Sequence, residues 1–199
     1  MQLKEILNQI HPLPDAVAEA VGRECETERA EAGVRPLEQG KRCYYLYFIK
    51  EGIMRVTYAH DGEEDTIAFG TTGDVFTSAH AFFANETVQF SMECLEECTF
   101  YRISFERFKD LLRKHHELSL WLNHLLMEQI YAFEKRYVHL GNSDAYERYV
   151  KFIRLRSEVI NRIPLKYVAQ YLNMVPATLS CVRRRFGKAG GAPQTPLKF

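Results

Sequence analysis

The sequence predicts an α+β chain of 199 residues, with an antiparallel sandwich or barrel first and helices after it. Three observations predict this. Between Gly33 and Ser104, Gly40, Gly52, Gly62, Gly70 and Gly73 punctuate short segments rich in β-branched and aromatic residues. After Ser104, apolar residues recur every three or four positions, the period of a helix. Charge is also split. Residues 1–141 hold 15 Lys+Arg against 23 Asp+Glu, and residues 142–199 hold 11 against 3. An acidic body with a basic last third suggests that this third meets a polyanion.

Composition excludes several classes. Hydrophobic residues at 46% and charged residues at 26% are ordinary for a globular protein and rule out a low-complexity chain. No apolar run approaches the roughly 18 residues of a membrane span, so no membrane partner is expected. The N-terminus, MQLKEILNQIHPLPDAV, has acids and prolines where a signal peptide needs an apolar core, and the expected location is the cytoplasm. The five cysteines (Cys25, Cys43, Cys94, Cys98, Cys181) are odd in number and scattered, which argues against a disulfide framework.

In chain order, Leu3, Ile6, Leu7 and Ile10 have helical spacing. His11-Pro12-Leu13-Pro14 breaks the run, and Asp15 is placed to cap a second helix ending near Gly22. Strands are expected at Tyr44–Lys50, Ile53–Ala59, Asp65–Phe69, Thr87–Met92 and Thr99–Ser104, with a hairpin turn at Asp61-Gly62. Ser104 caps the next helix, whose inner face is Phe108, Leu111 and Leu112. A longer helix follows from Glu117 to Leu140. Leu118, Leu122, Leu126, Ile130, Phe133, Tyr137 and Leu140 form one stripe, which Trp121 and Leu125 widen. That is more apolar surface than packing on one sheet needs, so the other face is expected to bury against a second copy, giving a homodimer. Gly141-Asn142-Ser143 reads as a hinge at the charge boundary. Asp144–Ile160 reads as a helix, and Gly187–Phe199 as a loose tail.

Leu165–Arg185, LKYVAQYLNMVPATLSCVRRR, is the most informative stretch. A helix-turn-helix needs a small residue inside its first helix, a tight turn, and apolar residues beneath both helices. Ala169 is the small residue, and Val168, Leu172, Met174, Leu179 and Val182 supply the buried side. Asn173 sits where the turn needs a left-handed residue, and asparagine is the best substitute for glycine there. Pro176 falls in the first turn of the second helix, where its missing N–H costs nothing. That helix then offers Pro176, Ala177, Thr178, Ser180, Cys181, Arg183, Arg184 and Arg185 to a partner. Its start suits base edges in the major groove of double-stranded DNA and its cationic end suits phosphates. A helical hairpin that only filled a core would have a neutral outer face.

Taken together, the glycine-punctuated strands, the long helix and the C-terminal helix-turn-helix resemble the Crp/Fnr family of bacterial transcription regulators over nearly the whole chain. Tyr47–Val56 with Asp61-Gly62-Glu63-Glu64 is similar to that family's effector-domain hairpin, and Gly73-Asp74-Val75-Phe76 to its next turn and strand. Ile163-Pro164 through Arg185 is similar to its winged helix-turn-helix, above all at Pro176–Ser180. The resemblance implies an N-terminal β-roll or jelly-roll effector domain with flanking helices over residues 1–115. It implies a dimerisation helix and hinge over 116–141, and a winged helix-turn-helix over 142–199. It also implies a regulator that binds palindromic DNA as a dimer, with a small-molecule effector and RNA polymerase as further partners, and no enzymatic activity or catalytic residue.

The chain departs from the family at the effector pocket. Cyclic-nucleotide members hold the ribose with the Glu of a Gly-Glu pair and the phosphate with the Arg of an Arg-Ser or Arg-Thr pair. Counted from Gly73-Asp74, these pairs fall on Thr77-Ser78 and Val88-Gln89. A buried phosphate without a cationic or multi-donor partner is strongly disfavoured, so cyclic AMP is not expected to bind. Two readings of the pocket stay open. It takes another ligand near Thr77, Ser78, His80, Val88 and Gln89, or Phe82, Phe83 and Phe90 fill it. Cys25 stands alone where iron–sulfur members carry a cluster, so no such cluster is expected. Cys94 and Cys98 read as apolar fillers near a strand turn, with a redox pair as the alternative. The seven histidines have no metal spacing. The recognition helix departs too. Ala177 stands where the family often has an acidic residue and Cys181 where it has arginine, so direct readout of guanine is weakened or redirected. Two other classes compete with the regulator. A metal-dependent jelly-roll enzyme lacks the His-x-His pair that it needs. A β-roll sensor or scaffold whose helix-turn-helix meets protein rather than DNA is opposed by the basic face.

Overall fold

The computed structural model describes residues 1–142, 144–156 and 159–188. The chain divides into two compact units. One holds residues 1–64 and 68–130, and the other holds 65–67 with the residues from 131 onward.

The first unit opens with helices α1 (Leu3–Ile10) and α2 (Asp15–Glu24). The Glu5 carboxylate accepts the Gln2 backbone N–H at 2.7 Å, which caps α1. Asp15 does not cap α2. Pro14 takes that position without a side-chain bond, and Asp15, inside the helix, pairs with Lys4 at 2.9 Å.

Seven strands follow: β1 (Glu26–Ala30), β2 (Tyr45–Glu51), β3 (Ile53–His60), β4 (Glu63–Thr71), β5 (Val75–Phe76), β6 (Ser91–Cys94) and β7 (Cys98–Ser104). They form two sheets, ordered β1-β7-β2-β5 and β4-β3-β6. β1 with β7, β2 with β5 and β7, and β3 with β6 pair antiparallel, with Phe48 opposite Tyr101 and Val56 opposite Met92. The β3–β4 hairpin turns on Asp61 and Gly62, both left-handed at φ 49° and 81°, which is the two-residue turn expected of Asp-Gly. The expected strand at Thr87–Met92 is displaced to Ser91–Cys94. Val88 instead exchanges backbone bonds with the loop at Gly40 and Lys41. A short helix, α3 (Ala79–Ala84), lies between β5 and β6, capped by the Ser78 hydroxyl.

Helix α4 (Phe105–Lys114) starts as expected, with the Ser104 Oγ accepting from Arg107 N at 3.3 Å. Its Phe108 is fully buried against Trp121 of α5 (His116–Asn142), with ring centroids 6.2 Å apart. The Trp121 indole donates to the Leu7 carbonyl at 2.8 Å, so α1, α4 and α5 meet at one side chain. Phe48 meets the same indole with ring centroids 6.2 Å apart, and Phe100 is fully buried against Tyr47.

The expected hinge is corrected in part. Gly141 and Asn142 belong to α5, because its backbone ladder continues through them, while Ser143 lies outside the described residues. The second unit continues with α6 (Ala145–Arg156), α7 (Leu165–Tyr171) and α8 (Pro176–Lys188). Asp144 Oδ1 accepts the Glu147 N–H at 2.8 Å and caps α6. A wing is not found among the described residues from 131 onward, which are helical or turn, and most of the expected loose tail lies outside them. Among the described residues, no helix is long and apolar enough to cross a membrane.

Candidate nucleic-acid interface

The turn between α7 and α8 is built by backbone hydrogen bonds around one left-handed residue. Asn173 has φ 51°, as its position in the sequence predicts. Its N–H donates to Gln170 O at 2.9 Å, and Met174 N–H donates to Ala169 O at 2.9 Å. This pair of bonds satisfies the last carbonyls of α7 and turns the chain sharply. Arg148 of α6 completes the cap. Its Nε donates to Leu172 O at 2.9 Å and its Nη2 to Asn173 O at 3.4 Å.

Beneath the turn, Val168, Ala169, Leu172, Leu179 and Val182 are buried, and Met174 is half-buried. Phe186 of α8 meets Tyr149 of α6 edge to face at 5.5 Å, and Phe152 meets Tyr171 at 5.3 Å. With Leu179, Val182 and Phe186 turned inward, a period of 3.6 residues sets Ala177, Ser180, Cys181, Arg184 and Lys188 on the opposite side of α8. The first four and Lys188 are all exposed.

Pro176, Arg183 and Arg185 are also exposed, and Thr178 is half-buried at the flank. Two side chains are already engaged. The Ser180 hydroxyl donates to Pro176 O at 3.0 Å, leaving its lone pairs outward. The Arg185 guanidinium lies over the Tyr146 ring at 4.3 Å. Sequence reading missed Lys188, although it continues the spacing of Ala177, Cys181 and Arg184. It also missed Arg148, for which a mid-helix arginine offers no local signal.

In the first unit, the five residues expected near an effector pocket are not gathered into one polar lining. Ser78 is fully buried and spends its oxygen on Ala81 N. The Thr77 Oγ1 is buried without a hydrogen-bond partner. Val88 is buried. His80 is exposed, with its Nδ1 3.0 Å from Glu86, and Gln89 is exposed and donates to Thr87 O. Of the three phenylalanines, Phe82 is buried against Phe105 and Phe108, whereas Phe83 is exposed and Phe90 is half-buried. Lys109 of α4 holds α3 by donating to Phe82 O at 2.7 Å. Among the described residues, no three His, Cys, Asp or Glu side chains are grouped to hold a metal ion.

The chain thus combines a two-sheet β unit, a long helix and a helix-turn-helix. Residues 27–115 match the cyclic nucleotide-binding domain family. No curated protein matches the chain in sequence. Over most of its length the chain has the fold of solved regulators. FixK2 from Bradyrhizobium japonicum is 17% identical, with TM-score 0.73 over 88% of this chain and 93% of that one. CLP from Xanthomonas campestris, described as a c-di-GMP responsive global regulator, is 14% identical, with TM-score 0.71 over 89% and 93%. CooA from Carboxydothermus hydrogenoformans is 18% identical, with TM-score 0.70 over 96% and 86%. These are Crp/Fnr regulators, so the resemblance drawn from the sequence holds at the level of the fold.

Proposed function

We propose that this chain is a bacterial, cytoplasmic transcription regulator of the Crp/Fnr type that binds palindromic DNA as a homodimer. The observation that carries the reading is the outward face of α8. Ala177, Ser180, Cys181, Arg184 and Lys188 stand exposed on a rigidly closed helix-turn-helix within the basic third of the chain. The start of α8 contacts base edges, Arg184 and Lys188 neutralise phosphates, and Arg183 supports them from the flank.

Helix α5 supplies the second copy. Trp121 and Leu125 point into the roll, yet Met127, Ile130, Phe133 and Tyr137 are 62%, 51%, 71% and 76% exposed. A stripe of this size on a single chain marks an interaction surface. Pairing through it sets two copies of α8 about one DNA turn apart, ~34 Å. The pocket lacks the carboxylate and guanidinium that hold cyclic AMP, and Phe82 supports the reading in which it is filled. Calorimetric titration is expected to detect no cyclic AMP binding in the micromolar range, and micromolar binding would overturn this part.

A gel-shift assay with genomic fragments at two salt concentrations tests the whole. Binding that weakens steeply with salt is expected. Failure to shift any fragment would favour a sensor or scaffold without DNA binding. Arg184→Ala is expected to weaken binding to all sequences and lower the salt slope by about 1, whereas Thr178→Ala changes sequence preference.

A further inference from the structure

The start of α8 meets base edges in the regulator proposed above, yet it carries none of the side chains that read them by paired hydrogen bonds. From Val175 to Val182 the sequence holds no Arg, Lys, Asn, Gln, Asp or Glu. Those types make the specific polar contacts to guanine, adenine and cytosine in the major groove. What stands outward instead is small and mostly apolar. Val175 is 63% exposed, and its carbonyl accepts from Leu179 N at 3.2 Å, which fixes the residue at the tip of the helix. Ala177 and Cys181 are exposed on one face, four positions apart. Ser180 spends its one proton on Pro176 O, so it can accept a hydrogen bond but not donate one. The first cation on that face is Arg184, two turns beyond Ala177 and about 10 Å further along the axis. Charge and apolar surface therefore occupy different ends of α8. The basic end suits phosphates. The tip offers methyl groups, and a polar base edge set against it would lose water without gaining a partner. In the major groove only thymine presents an apolar group on its edge, the C5-methyl.

We propose that α8 selects its DNA by thymine, with Val175 and Ala177 in van der Waals contact with thymine C5-methyl groups in each half-site. The proposal rests on the regulator reading and names what that helix recognises. Arg184 and Lys188 supply affinity that is blind to sequence, and the methyl contacts at the tip supply the choice of sequence. The first two turns of α8 make no direct contact to guanine.

The test uses the full chain and a duplex that it selects from random sequence. Uracil then replaces thymine one position at a time, which keeps every hydrogen-bonding group of the base pair and removes only the methyl. At the thymines under the tip of α8, each lost methyl is expected to weaken binding about fourfold, the worth of one buried methyl-sized group. Uracil outside the half-sites is expected to leave affinity unchanged. In Val175→Ala the penalty for uracil is expected to shrink, because the partner of the methyl is gone. The proposal is overturned if the selected half-sites lack thymine, if the uracil and thymine duplexes bind alike, or if 7-deazaguanine in the half-site core costs more than uracil does. A chain that binds no duplex at all would remove the regulator reading and this proposal with it, whereas tight binding indifferent to uracil removes this proposal alone. The parent chain on the two duplexes decides the matter even if the variant does not fold.

Discussion

Asn173 and Arg148 together decide whether the helix-turn-helix keeps its angle. A left-handed backbone costs an ordinary L-residue about 1–2 kcal/mol. Asn173→Ala is therefore expected to lower stability by about 1 kcal/mol, and Asn173→Gly to leave it nearly unchanged, as thermal melts will measure. Arg148→Ala leaves the Leu172 and Asn173 carbonyls without their guanidinium, a loss of about 1–3 kcal/mol. Its effect on DNA affinity should exceed that of removing one phosphate contact, because the whole of α8 shifts. In the first unit, burial, with Glu24 adding, pushes the Cys25 thiol up to about 12 from 9.0. The folded state then keeps a proton that the unfolded chain loses, so this contribution is full below pH 9 and falls away between 9 and 12. Urea midpoints at pH 8 and pH 10 should differ less in Cys25→Ala than in the parent.

Elements with a strong period and a clear cap were legible from sequence. Ser104 announced α4, Asp61-Gly62 the β3–β4 hairpin, and the sequence around Asn173 both helices of the motif. Two kinds of element were not. β1 reads Glu-Thr-Glu-Arg-Ala, whose charges hide any alternation. It pairs because it lies at a sheet edge, where Glu26 and Glu28 can meet Arg102 of β7. α3 is only six residues long, and its place depends on Phe82 and Lys109, contacts that sequence spacing cannot display. Nor could spacing display that Ser78 serves as a helix cap and that His80 and Gln89 are exposed. For α5 the two apolar faces were visible in advance, and their roles separate cleanly. Ile130→Asp and Tyr137→Asp change only exposed positions. Sedimentation should show them converting a dimer to monomers with the helix content retained, and DNA affinity should fall with the dimer.

Across the whole molecule, net charge of +0 conceals an acidic roll and a basic headpiece. In the proposed regulator, that division keeps the roll from competing for DNA and concentrates electrostatic attraction in the last third. Association should therefore slow sharply as ionic strength rises, while any ligand affinity of the roll stays nearly constant. The partition was readable from residue counts alone, whereas the continuation of α5 through Gly141 and Asn142 was not, because turn-forming residues there suggested a break.

The chain contains one tryptophan, and it is buried between Phe108 and Phe48 with its indole N–H tied to α1. Ultraviolet emission excited at the indole thus comes from a single address at the root of α5. A short-wavelength spectrum reports that root seated, and a red shift reports its release, so the protein carries a label-free optical gauge of what happens to its longest helix.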